Sequence, residues 1–143
     1  MKIMLFSGGS GGHLMPAMAL AEHLQPRDRC LLVSTRRPVD RILSAGDGSS
    51  LEWETVDLQP FTPVWRWFSL PYWTRQVGAV RNVRAVIGKA QPDVVVGFGG
   101  YLSAVGVMAA RRAGIPAVIH EQNFIPGRAN RFLAGFADAV AVS

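Results

Sequence analysis

The chain is poor in cysteine: Cys30 stands alone among 143 residues, so no disulfide can form within it. Its place in the apolar run Cys30-Leu31-Leu32-Val33 points to a buried, inert thiol, not a nucleophile or metal ligand. No apolar run has the length of a membrane-crossing helix, and Ile3 to Phe6 is too short for a signal-peptide core. These shortages lead us to expect a protein of the cytoplasm, soluble or peripheral to a membrane. Acidic residues are missing from Leu58 to Pro92, where Arg66, Arg75, Arg81, Arg84 and Lys89 supply five of the fifteen basic side chains. The other ten balance the ten acidic residues, so this one window carries the whole net charge of +5.

What is present is hydrophobic and periodic. With 49% hydrophobic residues, the chain has enough for one domain with a real core. Strand-like runs fall at 2–7, 30–34, 51–58, 93–98, 116–120 and 138–142, and helical patterns at 14–25, 73–90, 102–113 and 127–136. Alternation of this kind predicts an α/β fold, a doubly wound, Rossmann-like parallel sheet with ligands at the carboxyl ends of its strands.

The first strand runs directly into Gly8-Gly9-Ser10-Gly11-Gly12-His13 and then a helical pattern. Glycines let backbone approach a ligand, and a helix start offers free N–H groups to an anion such as a diphosphate. Tight packing alone is the other reading of such a turn. The dinucleotide fingerprint is absent, since Leu14 stands where its third glycine belongs, and Gly12-His13 replaces the Lys-Ser/Thr of a phosphate-binding loop. An oxidoreductase domain is further disfavoured by Ser34-Thr35-Arg36-Arg37, where a ribose-binding acid would stand. Two more polar loops, Phe98-Gly99-Gly100-Tyr101-Leu102-Ser103 and His120-Glu121-Gln122-Asn123, follow strands and should open on the same edge.

The acid-free window also holds Trp65, Trp67 and Trp73, three of the four tryptophans, beside Phe68, Leu70 and Tyr72. Rings interleaved with arginines suit an anionic membrane surface, and an ordinary core beside a solvated face is the competing reading. In the helix beyond, Val80, Val83, Val86 and Ile87 fall on one side, and Arg75, Arg81, Arg84 and Lys89 on the other. No nucleic-acid-binding motif is found, and nucleic acid is not expected as a partner.

Together these loops resemble the MurG family, bacterial enzymes that move N-acetylglucosamine from UDP-N-acetylglucosamine to lipid I, giving lipid II for peptidoglycan. The likeness rests on Gly8 to His13 with Pro16-Ala17, on Gly99-Gly100-Tyr101 with Ser103, and on His120 to Asn123 with Gly127 and Asn130. It spans essentially the whole chain and corresponds to the N-terminal, acceptor-side domain of a two-domain GT-B glycosyltransferase.

The resemblance implies an inverting hexosyltransferase and a peripheral protein of the inner membrane's cytoplasmic face. It implies Ser10, Gly11, Gly12, Gly99, Gly100, Tyr101, Ser103 and Asn123 as substrate-binding residues, and Trp65, Arg66, Trp67, Phe68, Trp73 and Arg75 as membrane-binding ones. His13 becomes the candidate general base, with Glu121 a further catalytic candidate, as base or orienting group, and His120 beside it. An imidazole at a helix start keeps a nitrogen free to take a hydroxyl proton, but it serves equally as a cap or phosphate ligand. Neither cofactor nor metal is expected, because the metal-chelating Asp-x-Asp of the other main glycosyltransferase fold is absent. Ala104 and Val105 stand where the family commonly has glycine and proline, which predicts a differently shaped second loop. Residues 1–143 are expected to form one domain without the donor-binding half, and so to be inactive alone. The alternative is a membrane-docked subunit of a two-chain glycosyltransferase with another polyprenyl-linked acceptor.

Overall fold

The computed structural model describes residues 1–8, 10–37, 51–58 and 70–143, with the side chains of 70–73 and 75 left aside. Trp65, Arg66, Trp67 and Phe68 therefore lie outside the described residues. In order the elements are β1 (Lys2–Phe6), α1 (Gly11–Leu24), β2 (Arg29–Thr35), β3 (Glu52–Val56), α2 (Leu70–Ala90), β4 (Val94–Gly97), α3 (Gly100–Arg112), β5 (Ala117–Glu121), α4 (Arg128–Leu133) and β6 (Ala139–Val142). Every strand expected from periodicity is present.

The six strands pair in parallel in the order β3-β2-β1-β4-β5-β6. The order reverses between β1 and β4, where Phe6 lies in register with Gly97, and such a switch point opens a crevice at the strands' carboxyl ends. Central strands read as continuous apolar runs because both faces are covered. One face packs Met4, Phe6, Val33 and Val95 beneath α2 and α3, and the other packs Ile3, Leu5, Leu32 and Val96 against Leu14, Ala17 and Ala21 of α1. Cys30 is buried in that second layer, and burial pushes its thiol up. All four residues of β6 are exposed, and among the described residues β5 is its only partner.

Three helices begin earlier than their periodicity suggests, α2 among them at Leu70 instead of 73. α1 starts at Gly11 and α3 at Gly100, so glycines expected in loops form the first helical turns. The first turn of a helix needs little propensity of its own, because its N–H groups have no intrahelical acceptor. Close packing demands one glycine further along α3: a Cβ at Gly106 would stand 2.4 Å from the ring of Phe6. The buried stripe of α2 is Gln76, Ala79, Val83 and Ile87, with Val80 and Val86 half-buried beside it and Arg81, Arg84 and Lys89 exposed as expected.

Candidate functional site

Three loops meet at one imidazole at the switch-point crevice. Ser10 precedes α1 with an extended backbone, and its carbonyl accepts from the N–H of His13 and of Leu14, both at 3.2 Å. No side chain caps the helix, and its first turn carries no acidic residue. A Cβ on Gly11 or Gly12 would meet nothing within 4 Å, so the helix start faces open space able to take an anion. The neighbouring start of α3 is also free of acidic side chains.

His13 lies against the second loop. Gly99 and Gly100 have φ of 94° and 77°, a conformation that favours glycine, and a Cβ at Gly99 would stand 3.0 Å from His13 Cε1. The third loop reaches the same ring, with Gln122 Nε2 2.5 Å from His13 Nδ1. The resemblance marked His13; that Gln122 is its partner was not legible from sequence.

Glu121 is buried, and its carboxylate is fully engaged. Oε1 accepts from the backbone N–H and side-chain amide of Asn123 at 2.9 and 2.8 Å; Oε2 accepts from Gly127 N–H at 2.8 Å and Asn130 Nδ2 at 3.0 Å. Burial alone would raise its pKa, but these four donors outweigh burial and hold the carboxyl below its usual range. Such a group ties the loop 122–127 together and has little basicity for a hydroxyl proton. Asn130 also donates to the His120 carbonyl at 2.9 Å, while the His120 ring lies 5.3 Å from that of Phe98, with Nδ1 buried and unpartnered. Asn123 is exposed at the loop's edge, beside a fully exposed Phe124.

Two further residues of the second loop differ in placement. Ser103 is fully buried, and its hydroxyl donates to the Phe6 carbonyl at 2.6 Å, so it braces α3 on β1 and does not enter the crevice. Ser103, expected as a substrate ligand, is thus placed where its hydroxyl serves the joint between α3 and β1. Tyr101 is half-buried beneath Arg37, whose guanidinium carbon lies 5.9 Å from the ring centroid. Arg37, which entered the sequence reading only as a missing acid, thus brings positive charge near the loops. Ala104 and Val105 lie within α3, past the second loop, and line a trough between helices.

That trough is apolar, about 290 Å³, and is lined by Val80, Ala104, Val105, Met108 and Phe132 with Arg84 and Arg112 at its side. It shares both arginines with a cleft of about 680 Å³ between α2 and α3. Of the membrane-binding residues expected from sequence, Trp73 and Arg75 fall on the helical backbone of α2, and the others lie outside the described residues. Among the described residues, no cluster of His, Cys, Asp or Glu could hold a metal, and no helix is long and apolar enough to cross a membrane.

Comparison with known proteins agrees with this architecture. Residues 3–142 match the model of the glycosyltransferase family 28 N-terminal domain. A UDP-N-acetylglucosamine–N-acetylmuramyl-(pentapeptide) pyrophosphoryl-undecaprenol N-acetylglucosamine transferase from Lacticaseibacillus casei is 40% identical over 149 aligned positions, covering 99% of this chain and 39% of its own length. The Nocardioides enzyme of the same description is 39% identical, with 100% and 40% covered. The crystal structure of Acinetobacter baumannii MurG superposes with a TM-score of 0.82 at 29% identity, covering 99% of this chain and 41% of that one. The chain thus spans about 40% of the length of the relatives it matches.

Proposed function

Because this chain belongs to the glycosyltransferase family 28 N-terminal domains, we propose that it is the acceptor-side domain of an inverting N-acetylglucosaminyltransferase acting on lipid I at a membrane surface. The observation that carries the proposal is the meeting of the three loops at His13, beside a helix start with room for a diphosphate. Ser10, Gly11 and Gly12 hold the diphosphate region, Gly99 and Gly100 let substrate approach the ring, and Tyr101 and Asn123 border the crevice. Glu121 positions the third loop.

In the reaction, the 4-hydroxyl oxygen of the N-acetylmuramoyl unit attacks the anomeric carbon of UDP-N-acetylglucosamine. The new C–O bond forms as the bond to the diphosphate breaks, UDP leaves, and the hydroxyl proton passes to His13. Helix dipoles and positioned N–H groups stabilise charge on the departing diphosphate. The uridine and sugar are bound largely by a donor-side domain like the portion of the relatives that this chain does not match.

Attachment to the membrane is peripheral, through the acid-free segment 58–92. The apolar trough with Arg84 and Arg112 supports it, since acyl or polyprenyl chains find an apolar floor there and anionic headgroups find cations. Cosedimentation with anionic vesicles tests both parts. Lipid I in the vesicles should increase binding, and Gly11→Asp, which puts a carboxylate in the open space at the helix start, should abolish that increase while leaving basal binding. Equal binding with and without lipid I would refute the acceptor assignment.

A further inference from the structure

We propose that Gln122 is a positioning residue that fixes the tautomer of His13: its amide oxygen accepts the Nδ1 proton, leaving Nε2 bare toward the acceptor hydroxyl. The inference rests on His13 as the base of the reaction proposed above.

A neutral imidazole carries one proton, and the bond made at one nitrogen decides what the other can do. Gln122 is the side chain that bonds Nδ1, at 2.5 Å. With its NH₂ turned to the ring, Nδ1 accepts, the ring proton sits on Nε2, and Gln122 Oε1 is left buried without a partner. Turning the amide by a half rotation costs no space, because its oxygen and nitrogen have nearly the same size. The oxygen then accepts from Nδ1–H, and the NH₂ group takes the buried position the oxygen left.

The crevice favours this second arrangement on chemical grounds. It is already rich in donors, with the first N–H groups of α1 and the Arg37 guanidinium nearby, and poor in groups able to accept a proton. Glu121 is excluded as acceptor by its four hydrogen bonds. His120 Nδ1 is buried, so the hydroxyl proton goes to Nε2 of His13, which is open only while Nδ1 holds the ring proton. Gln122 is itself held in place, since the residues on either side of it are joined by the Asn123 N–H to Glu121 bond.

Long-range ¹H–¹⁵N NMR of the His13 side chain in this 143-residue chain tests the proposal without turnover. Recorded with the ring neutral, the native chain should show the Nδ1–H form. Gln122→Glu, whose carboxylate can only accept, should keep it, and Gln122→Met should move the ratio toward Nε2–H by about fivefold or more, the scale of one lost hydrogen bond. An Nε2–H form in the native chain, or an unchanged ratio in a Gln122→Met chain whose backbone amide spectrum is otherwise native, overturns the proposal. If Gln122→Met fails to fold, the native spectrum decides alone. Loss of lipid-I-dependent vesicle binding with Nδ1–H intact would count against the proposed function and leave the tautomer standing.

Discussion

Glu121 spends its charge on structure. Its carboxylate gathers donors from Asn123, Gly127 and Asn130, so Glu121→Gln turns an NH₂ group toward one of them and should lower stability by about 1–3 kcal/mol, read in a denaturant melt. Its folded pKa is depressed, so the contribution is complete above the ordinary carboxylate value of about 4.3 and is lost as pH falls through the lower folded value. Melts of the native chain should weaken over that acid range, and those of Glu121→Gln should weaken less. Sequence could mark Glu121 as base or orienting group but could not choose, because its partners stand two, six and nine residues away and meet it only once the loop has turned. Gln122 was visible as a member of the same tetrapeptide, yet its reach to His13 depends on β1 and β5 lying on either side of β4.

The joint between α3 and β1 is the element whose geometry tolerates least change. Gly106 lets the helix lie on Phe6, and a methyl there would overlap the ring, so Gly106→Ala should cost about 1–3 kcal/mol in a chemical denaturation series. Ser103→Ala removes the bond to the Phe6 carbonyl and should cost about 1 kcal/mol in the same series. Helix and strand identities were legible because Val83 and Ile87 repeat at helical spacing, while Val94 to Val96 form the continuous apolar run of a strand buried on both faces. The starts of α1 and α3 were not, since glycine argues against a helix by propensity while the first turn is held by what precedes it. Gln76 was missed in the buried stripe of α2 because a polar residue breaks the apolar pattern that marks a core.

At the scale of the molecule, the expected doubly wound sheet is found, and its strand order sets the crevice where the three loops were expected to converge. The cationic face of α2 is the other large feature that the sequence announced. On the proposed docking, Arg81→Gln with Arg84→Gln should weaken binding to anionic vesicles by about 2 kcal/mol, roughly thirtyfold in a sedimentation assay, since each surface arginine contributes about 1 kcal/mol. Ala139 to Val142 bear on a different property. The outer N–H and C=O groups of β6 are unpaired among the described residues, and Val140 and Val142 lie 50% and 77% exposed, so this strand is a template on which a second chain can extend the sheet. Colloidal behaviour should follow: at high concentration the 143-residue chain should associate edge to edge, and a Val142→Lys gatekeeper should raise the concentration at which light scattering begins.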